Sequence, residues 1–536
     1  MTRRLRTRPA WLAVLSALLL ATSSAWAAGS YGTKMKDKSL FYGQRFKQTL
    51  EHGLPSFQEV SVHDPSVIEV DGSYYIFGSH LATAKTTNLM NWELIADGVN
   101  EDNPLFVNVV EELAATFEWS DAVDLWANEV IRLADGRFYM YHNLSRLDSP
   151  RASLGLAVAD HIEGPYVNHG IFLQSGMWNE ISEDGVNIYD ARIHPNTVDP
   201  DLFFDQEGTL WMIYGSYSGG IFIMEMDPVT GFPLEGQGYG KHLMGGNHSR
   251  IEGAFVIYSP QSGYYYMFVT FGGLSADGGY NIRVSRSVNA DGPYYDALGN
   301  DMAEVKANPA LPLFDDASIE PFAQKLMGNH FFLRADGEPG NNTGFGYVSP
   351  GHNSAIYDPE SGKYFIIFHT RFPGRGEMHQ VRVHEMFINE DGWVVVAPHR
   401  YVPVQFLPYK DAPYRFGGSP FFMDRCRHKP SCWNFDTITP EESPGMYKLV
   451  NHGKDISAEV KVSELVSLTP DGSVSGAVSG SWYRSYGNRI TIELDDVGLF
   501  KGVVSRGWNE TSGQFVITFS AQSVEGISIW GSKLAE

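Results

Sequence analysis

Residues 64–77 read DPSVIEVDGSYYIF, which is a short apolar segment, a turn ending in glycine and a second segment rich in aromatic residues. This order is typical of a β-hairpin, because glycine supplies positive φ at a tight turn and aromatic and β-branched residues pack well in sheets. Four more segments follow the same plan: WANEVIRLADGRFYMY at 126–141, DPDLFFDQEGTLWMIY at 199–214, EGAFVIYSPQSGYYYMF at 252–268 and HNSAIYDPESGKYFIIF at 352–368. Five copies of one hairpin indicate small sheets repeated around an axis, as in a β-propeller.

The repeat also sets the domain organisation. We predict an all-β protein in which residues 28–410 form a five-bladed β-propeller; a β-sandwich is the alternative. Five prolines between positions 413 and 444 indicate a linker over residues 411–445. Residues 446–536 contain short alternating segments separated by glycine turns, which predicts a smaller C-terminal all-β domain, either a sandwich or a barrel.

Composition restricts the class of partner. The chain has 536 residues, with 40 Lys and Arg against 63 Asp and Glu, and a formal charge of −23. Binding to nucleic acid needs basic patches that neutralise phosphates, so this balance argues against a nucleic-acid partner. The same charge disfavours an anionic membrane surface.

The first residues are typical of an export signal. Arg3, Arg4 and Arg6 precede an uncharged apolar stretch over residues 11–21, and small residues follow at Ala25 and Ala27. We predict a signal peptide over residues 1–27 and a secreted or periplasmic mature protein. The alternative is a membrane anchor, for which the apolar stretch is short. Export would permit a disulfide between the two cysteines at positions 426 and 432, and an unpaired thiol pair is the alternative.

Three hairpins begin with a carboxylate: Asp64, Asp199 and Glu252. In a propeller the first strand of each blade lines the central channel, so these side chains are predicted to meet at one face. Neighbouring carboxyl groups split their pKa values, which lets one site hold both an acid and a base. Cleavage of a glycosidic bond uses such a pair, separated by about 6.5–9.5 Å in inverting enzymes. The alternative is that each acid is a solvated strand end.

The sequence around these acids resembles glycoside hydrolase family 43, and within it the secreted two-domain endo-α-1,5-L-arabinanases. The motifs that carry the resemblance are HDPS at 63–66, VDP at 198–200 and IEG at 251–253, supported by FGSHL at 77–81, NTVDP at 196–200, GSYSG at 215–219, YNIRV at 280–284 and GHNS at 351–354. The resemblance covers about residues 60–410. It implies a five-bladed propeller and inverting hydrolysis, with Asp64 as general base, Glu252 as general acid and Asp199 as the residue that adjusts the pKa of the acid.

The resemblance also implies binding residues. His352 matches a histidine that organises calcium or another cation near the channel axis; the alternative is a core histidine bonded to a carboxylate or to backbone. Asn196, Ser216, Tyr217 and Ser218 match substrate-contacting positions, although simpler arabinanases commonly have tryptophan where Ser218 stands. Trp126 and Tyr217 are candidates for stacking on sugar faces.

The predicted activity is hydrolysis of internal bonds in plant cell-wall arabinan. One alternative is another activity of the same family, namely an exo-arabinanase, an arabinofuranosidase or a β-xylosidase. The other alternative is a propeller that binds carbohydrate without cleaving it.

Overall fold

The computed structural model describes residues 54–403 and 438–535, so the predicted signal peptide, most of the predicted linker and both cysteines lie outside the described residues. Residues 56–403 and the described part of 408–536 belong to one compact unit. Among the described residues, no helix has the length and hydrophobicity that crossing a bilayer requires.

The first four blades are four-stranded antiparallel sheets, each in sequence order. Blade 1 contains β1 (Ser66–Val70), β2 (Ser73–Phe77), β3 (Thr83–Thr86) and β4 (Glu93–Ala96). Blade 2 contains β5 (Glu129–Arg132), β6 (Phe138–Arg146), β7 (Ser149–Ala159) and β8 (Val167–Gln174). Blade 3 contains β9 (Asp201–Phe204), β10 (Leu210–Tyr214), β11 (Ile221–Met226) and β12 (Lys241–Met244). Blade 4 contains β13 (Ile251–Ser259), β14 (Tyr264–Phe271), β15 (Asn281–Ser287) and β16 (Gln324–Met327).

Blade 5 is larger than the others. It contains β17 (His330–Leu333), β18 (Gly344–Asp358), β19 (Lys363–Arg371), β20 (His379–Ile388) and β21 (Val394–Val396). A sixth strand, β23 (Lys461–Val462), comes from the C-terminal part of the chain and pairs in parallel with β17. Short helices occur between strands: α1 (Val109–Glu112) and α2 (Ala114–Ser120), and 3₁₀ turns at Ser79–Leu81, Met302–Glu304 and Pro440–Glu442.

The five inner strands close into a ring. Strands β1, β5, β9, β13 and β18 contact one another in that order, and β18 contacts β1 again. Apolar side chains from the facing surfaces of neighbouring blades form the core, which therefore lies between the blades rather than on the axis. The prediction of a five-bladed propeller is confirmed, and the β-sandwich alternative is wrong.

The C-terminal domain is a closed eight-stranded antiparallel barrel. Its strands are β22 (Gly445–Asn451), β24 (Glu464–Leu468), β25 (Ser473–Gly476), β26 (Gly480–Arg484), β27 (Arg489–Leu494), β28 (Gly498–Asn509), β29 (Gln514–Gln522) and β30 (Ser528–Lys533). Pairing of β22 with β30 closes the barrel, which decides between the two architectures that the sequence left open.

Candidate active site

The start of each inner strand faces one small cavity at the centre of the ring. This cavity has a volume of about 20 Å³, which is enough for a water molecule or an ion. Its lining comes from all five blades: residues 64–66, 127–129, 199–201, 254–255 and 352–354. The ring thus brings together residues that lie far apart in sequence.

Asp64 precedes β1, and its buried carboxylate is contacted by three side chains. His63 Nδ1 lies 2.7 Å from Oδ2, the Ser79 hydroxyl donates to Oδ2 at 2.5 Å, and His352 Nδ1 lies 3.0 Å from Oδ1. Burial alone would raise the pKa of the Asp64 carboxyl, but His63 and His352 outweigh burial and hold the pKa well below its ordinary value. Asp64 is therefore ionised in this site.

His369 supports the backbone of Asp64. Its Nδ1 accepts a hydrogen bond from the Asp64 amide at 3.1 Å, and its ring stacks on His63 with 3.7 Å between centroids. These contacts give His369 a structural role in holding Asp64. Ligand atoms of His63, Asp64 and His369 lie within 4.8 Å of one another. Because His63 Nδ1 is bonded to the Asp64 carboxylate and His369 Nδ1 accepts from the Asp64 amide, both ring atoms are already engaged in hydrogen bonds.

Glu252 lies in β13, and both of its carboxyl oxygens accept hydrogen bonds. The Ser216 hydroxyl donates to Oε2 at 2.7 Å, and the Tyr280 hydroxyl donates to Oε1 at 2.8 Å. Burial raises the pKa of Glu252 above its ordinary value, although these donors oppose the shift. The Glu252 carboxyl thus keeps its proton to higher pH than an exposed glutamate does.

The register of Glu252 differs from our prediction of equivalent positions. Ala254 and Phe255 line the cavity in blade 4, where Pro65 and Ser66 line it in blade 1, so Gly253 rather than Glu252 corresponds to Asp64. The pairing of β13 with β14 shifts between Glu252 and Phe255, which marks a β-bulge. A bulge redirects the side chain next to it. The side chain of Glu252 therefore enters the site although Glu252 lies one residue before the position equivalent to Asp64.

Asp199 precedes β9 and is buried close to the other two acids. Burial and the nearby charges of Glu252 and Asp64 raise the pKa of Asp199 to about 7, although His352 opposes the rise. The Gly253 amide donates to its carboxylate. Asp199 is therefore hydrogen-bonded to Gly253, the residue that follows Glu252.

His352 completes the group. Burial lowers the pKa of the His352 imidazole, but Asp64 and Asp199 outweigh burial and raise the pKa to about 9. A Cβ placed on Gly253 would lie 2.9 Å from His352 Cγ, so the ring packs directly against the strand that carries Glu252. Asp64, Asp199 and His352 all have left-handed φ, at 56°, 57° and 43°. Non-glycine residues rarely adopt this region, and such strain is common at functional sites.

The cavity is also lined by oxygen atoms that could act as ligands of a hard cation. Glu129 and Asp201 face it, and the amide oxygens of Asn128 and Asn353 are buried without a hydrogen-bond partner. Carboxylate and amide oxygens are the ligands that Ca²⁺ and Mg²⁺ prefer. His352 contacts Asp64 through Nδ1, which leaves Nε2 as the ring nitrogen that a metal could take. The residues present therefore fit a cation. The contact of His352 with Asp64 is also the bond to a carboxylate that the alternative interpretation of His352, a core histidine, expects.

Glu129 and Asp201 were not singled out by sequence reasoning. The Ser66 hydroxyl donates to Glu129, and the Val256 amide donates to Asp201 Oδ2 at 2.8 Å. Burial and the charge of Asp201 raise the pKa of Glu129 well above its ordinary value, and burial does the same to the pKa of Asp201. Both acids are two residues downstream of the position that Asp64 occupies in blade 1, and this spacing was the available signal.

The residues predicted to bind substrate have different surroundings. Ser216 bonds to Glu252, as described above, and Ser218 is buried, with its carbonyl accepting from the His248 amide. The Tyr217 hydroxyl donates to the Gly272 carbonyl at 3.2 Å. Asn196 and Trp126 complete the predicted set: Asn196 is buried and accepts from the Ser145 hydroxyl, and Trp126 packs partly buried against the core between blades 1 and 2. Their contacts with sugar stay predictions.

Comparison with known proteins gives consistent matches over the described fold. The model of glycosyl hydrolases family 43 matches residues 56–316, and a model described as a C-terminal lipocalin-like domain matches residues 427–531. An extracellular endo-α-(1→5)-L-arabinanase of Bacillus subtilis is 51% identical, covering 89% of this chain and 94% of that protein.

Two solved structures are similar over the same extent. A family 43 glycoside hydrolase from Bacillus licheniformis has 54% identity and a TM-score of 0.81, covering 90% of this chain and all of the other. An endo-1,5-α-L-arabinanase from Thermotoga petrophila has 44% identity and a TM-score of 0.79 with the same coverage. The predicted family is confirmed: the chain belongs to glycosyl hydrolase family 43.

Proposed function

We propose that this chain is an inverting endo-arabinanase that hydrolyses internal α-1,5-L-arabinofuranosidic bonds of plant cell-wall arabinan. The observation that carries the proposal is the opposite environment of two acids in one site. His63 and His352 hold the pKa of Asp64 well below its ordinary value, whereas burial raises the pKa of Glu252 above its own. The relatives from Bacillus subtilis and Thermotoga petrophila, both described as endo-arabinanases, support the choice of substrate.

In this mechanism Asp64 accepts a proton from water while the water oxygen attacks the anomeric carbon. Glu252 donates its proton to the leaving oxygen, and the configuration at the anomeric carbon inverts. Ser216 and Tyr280 orient the Glu252 carboxyl, and His63 and Ser79 orient that of Asp64. Ionised Glu252 raises the pKa of Asp199, so the two carboxyl groups oppose each other's ionisation, and Asp199 adjusts the proton affinity of Glu252 in this way.

The test is hydrolysis of linear α-1,5-arabinan by the parent and by Asp64→Asn and Glu252→Gln. Early products from an endo enzyme are oligosaccharides of many lengths, and NMR shows the β-anomer first. Each substitution is expected to lower turnover by about 10²- to 10⁴-fold. Asp71→Asn is the matched control, since Asp71 lies exposed at the turn of the same hairpin as Asp64.

A second substrate separates the two roles. An aryl arabinofuranoside with a nitrophenol leaving group needs little protonation, so Glu252→Gln is expected to recover most of its activity there, whereas Asp64→Asn stays inactive. Release of arabinose alone from arabinan would favour an exo enzyme instead. Binding of arabinan without any hydrolysis would favour the non-catalytic propeller.

We further propose that the cavity holds calcium or a similar cation at His352 Nε2, among the oxygens of Glu129, Asp201, Asn128 and Asn353. A cation there would add positive charge beside Asp64. After treatment with EDTA and dialysis, calorimetric titration with Ca²⁺ should show one site, and His352→Ala should abolish it. Equal Ca²⁺ binding by parent and His352→Ala would contradict the assignment.

We also propose that the protein is exported, which the features of residues 1–27 and the extracellular description of the Bacillus subtilis relative support. N-terminal sequencing of the protein recovered from outside the cytoplasm should begin at Ala28. An intact N-terminus on membrane-bound protein would support the anchor instead.

A further inference from the structure

A surface loop over residues 306–319, between the 3₁₀ turn Met302–Glu304 and β16, is folded back on itself beside the active site. The Asn308 amide donates to the Ser318 hydroxyl at 3.2 Å, and the Asn247 side chain donates to the Ala307 carbonyl at 3.0 Å. Ile319, where the loop ends, is fully buried. Compact loops with joined ends are frequently functional.

An ion pair fixes this loop to Arg250, the residue immediately before β13, which carries Glu252. Arg250 Nε donates to Asp316 Oδ1 at 3.0 Å, and Nη2 donates to Oδ2 of the same carboxylate. The side chains retain 23% and 11% exposure. Paired donors from arginine to one carboxylate restrict direction as well as distance. Because Arg250 is two residues before Glu252, the loop tip has a defined position relative to the acid.

Phe314 lies at that tip, two residues before Asp316. Its side chain is 46% exposed, and its backbone has a left-handed φ of 66°. A bulky residue in this region is a genuine outlier, and strain of this kind concentrates at ligand-binding sites. Ile319 is the buried apolar side chain that anchors the loop. Packing of the loop therefore explains neither the exposure of the Phe314 ring nor the strain in its backbone.

The ring of Phe314 lies against a residue next to the acid. Its centroid is 5.7 Å from that of Tyr217, with the two planes at 77°. This is a favourable edge-to-face arrangement and fixes the orientation of the Phe314 ring. Tyr217 follows Ser216, whose hydroxyl bonds to Glu252. Tyr217 itself is largely buried and bonded to Gly272, and Ser216 and Ser218 have no ring, so Phe314 supplies the exposed aromatic face here.

We propose that Phe314 stacks on an arabinofuranosyl unit of the substrate on the leaving-group side of the scissile bond. This inference rests on the proposed function, because Glu252 marks the leaving-group side only if it is the general acid. A flat apolar face suits the C–H face of a sugar ring, and the Arg250–Asp316 pair holds that face in place before substrate arrives. Phe314 is thereby a specificity-determining residue for chain length.

The test compares kinetics of Phe314→Ala with the parent on linear arabino-oligosaccharides of increasing length. Removal of a stacking contact that is made equally in the ground and transition states raises KM and leaves kcat unchanged. The expected rise in KM is about 2- to 13-fold, the range for one aromatic contact. Phe314→Tyr and Phe314→Trp should restore the parent KM, whereas Phe314→Leu should not. Leu313→Ala is the matched control, since Leu313 is 63% exposed in the same loop.

Stability separates this role from a structural one. Phe314→Gly removes both the ring and the strain of the left-handed φ, so Tm should be unchanged or higher while KM rises. A clear fall in Tm with Phe314→Gly, or a parent-like KM for Phe314→Ala or Phe314→Leu, would overturn the inference. These comparisons require a parent enzyme that cleaves arabinan. A parent without this activity would contradict both the proposed function and the inference about Phe314.

Discussion

Replacing Tyr280 by phenylalanine should move the alkaline limb of the pH profile upward. The Tyr280 hydroxyl donates to Glu252 Oε1 at 2.8 Å, and both residues are buried. This donor stabilises the carboxylate more than the protonated acid. Without it the pKa of Glu252 rises further, and the catalytically useful protonated form persists to higher pH.

The magnitude follows from the strength of one hydrogen bond to a charged group. Such a bond contributes about 1.5–3 kcal/mol, part of which the neutral carboxyl retains. Because one pKa unit corresponds to about 1.4 kcal/mol, a shift of about one unit is expected, with about two as the upper bound. The ring itself should not move, since a Cβ on Gly351 would lie 2.1 Å from Tyr280 Cδ1, which shows how closely the backbone confines it.

The assay is kcat/KM on linear arabino-oligosaccharides across pH for the parent, Tyr280→Phe and Ser216→Ala. Both variants remove a donor to Glu252 and should shift the alkaline limb in the same direction, leaving the acid limb, which belongs to Asp64, in place. Tyr294→Phe is the control, because Tyr294 is equally buried in the same part of the chain but donates to the Ala290 carbonyl. An unchanged or lowered alkaline limb in Tyr280→Phe would refute the assignment of Glu252 as the acid.

Three further predictions concern stability. Trp530→Ala should lower the free energy of unfolding by about 3–5 kcal/mol, because this fully buried side chain joins the barrel to the core of blades 4 and 5; urea denaturation measures it. Lys448→Met should cost about 3–5 kcal/mol, since it leaves the buried Glu338 unpaired, and the added change Glu338→Leu should recover much of the lost Tm. Asp199→Asn should gain Tm relative to the parent as pH rises from about 4 to 7, because the raised pKa of Asp199, about 7, makes its ionisation in the folded state unfavourable over that window; a constant difference in Tm would contradict this.

Much of the propeller could be predicted because its signal is local and repeated. Each hairpin carries its own alternating pattern and turn glycine, so five weak signals support one another. Strand β23 could not be predicted, since Lys461–Val462 is too short to show a period and its partner His330 is more than a hundred positions away. The choice between sandwich and barrel depended on whether β22 meets β30, which local pattern does not report.

The site shows the same division between local and distant information. Asp64, Asp199 and Glu252 were identifiable from short motifs at the starts of repeated strands. Their partners were not, because a hydrogen bond such as that from Tyr280 to Glu252 depends on how separate strands fold together. Ser216 illustrates the difference: the family resemblance implied a sugar contact there, and the structure shows its hydroxyl donating to Glu252.

The barrel and the propeller share an interior, which bears on what the C-terminal domain does. The buried Arg283 donates through Nη2 to the Lys454 carbonyl at 2.6 Å and through Nε to Asn281 Oδ1 at 2.8 Å. Asn281 in turn donates to the Gly279 carbonyl at 2.8 Å, so these contacts enclose both neighbours of Tyr280. Burial lowers the pKa of the Arg283 guanidinium to about 9, and this buried cation depends on the carbonyls of Glu320, Phe322 and Lys454, of which the last belongs to the C-terminal segment. The C-terminal part of the chain therefore contributes a contact to the residues that flank Tyr280, whose hydroxyl donates to Glu252.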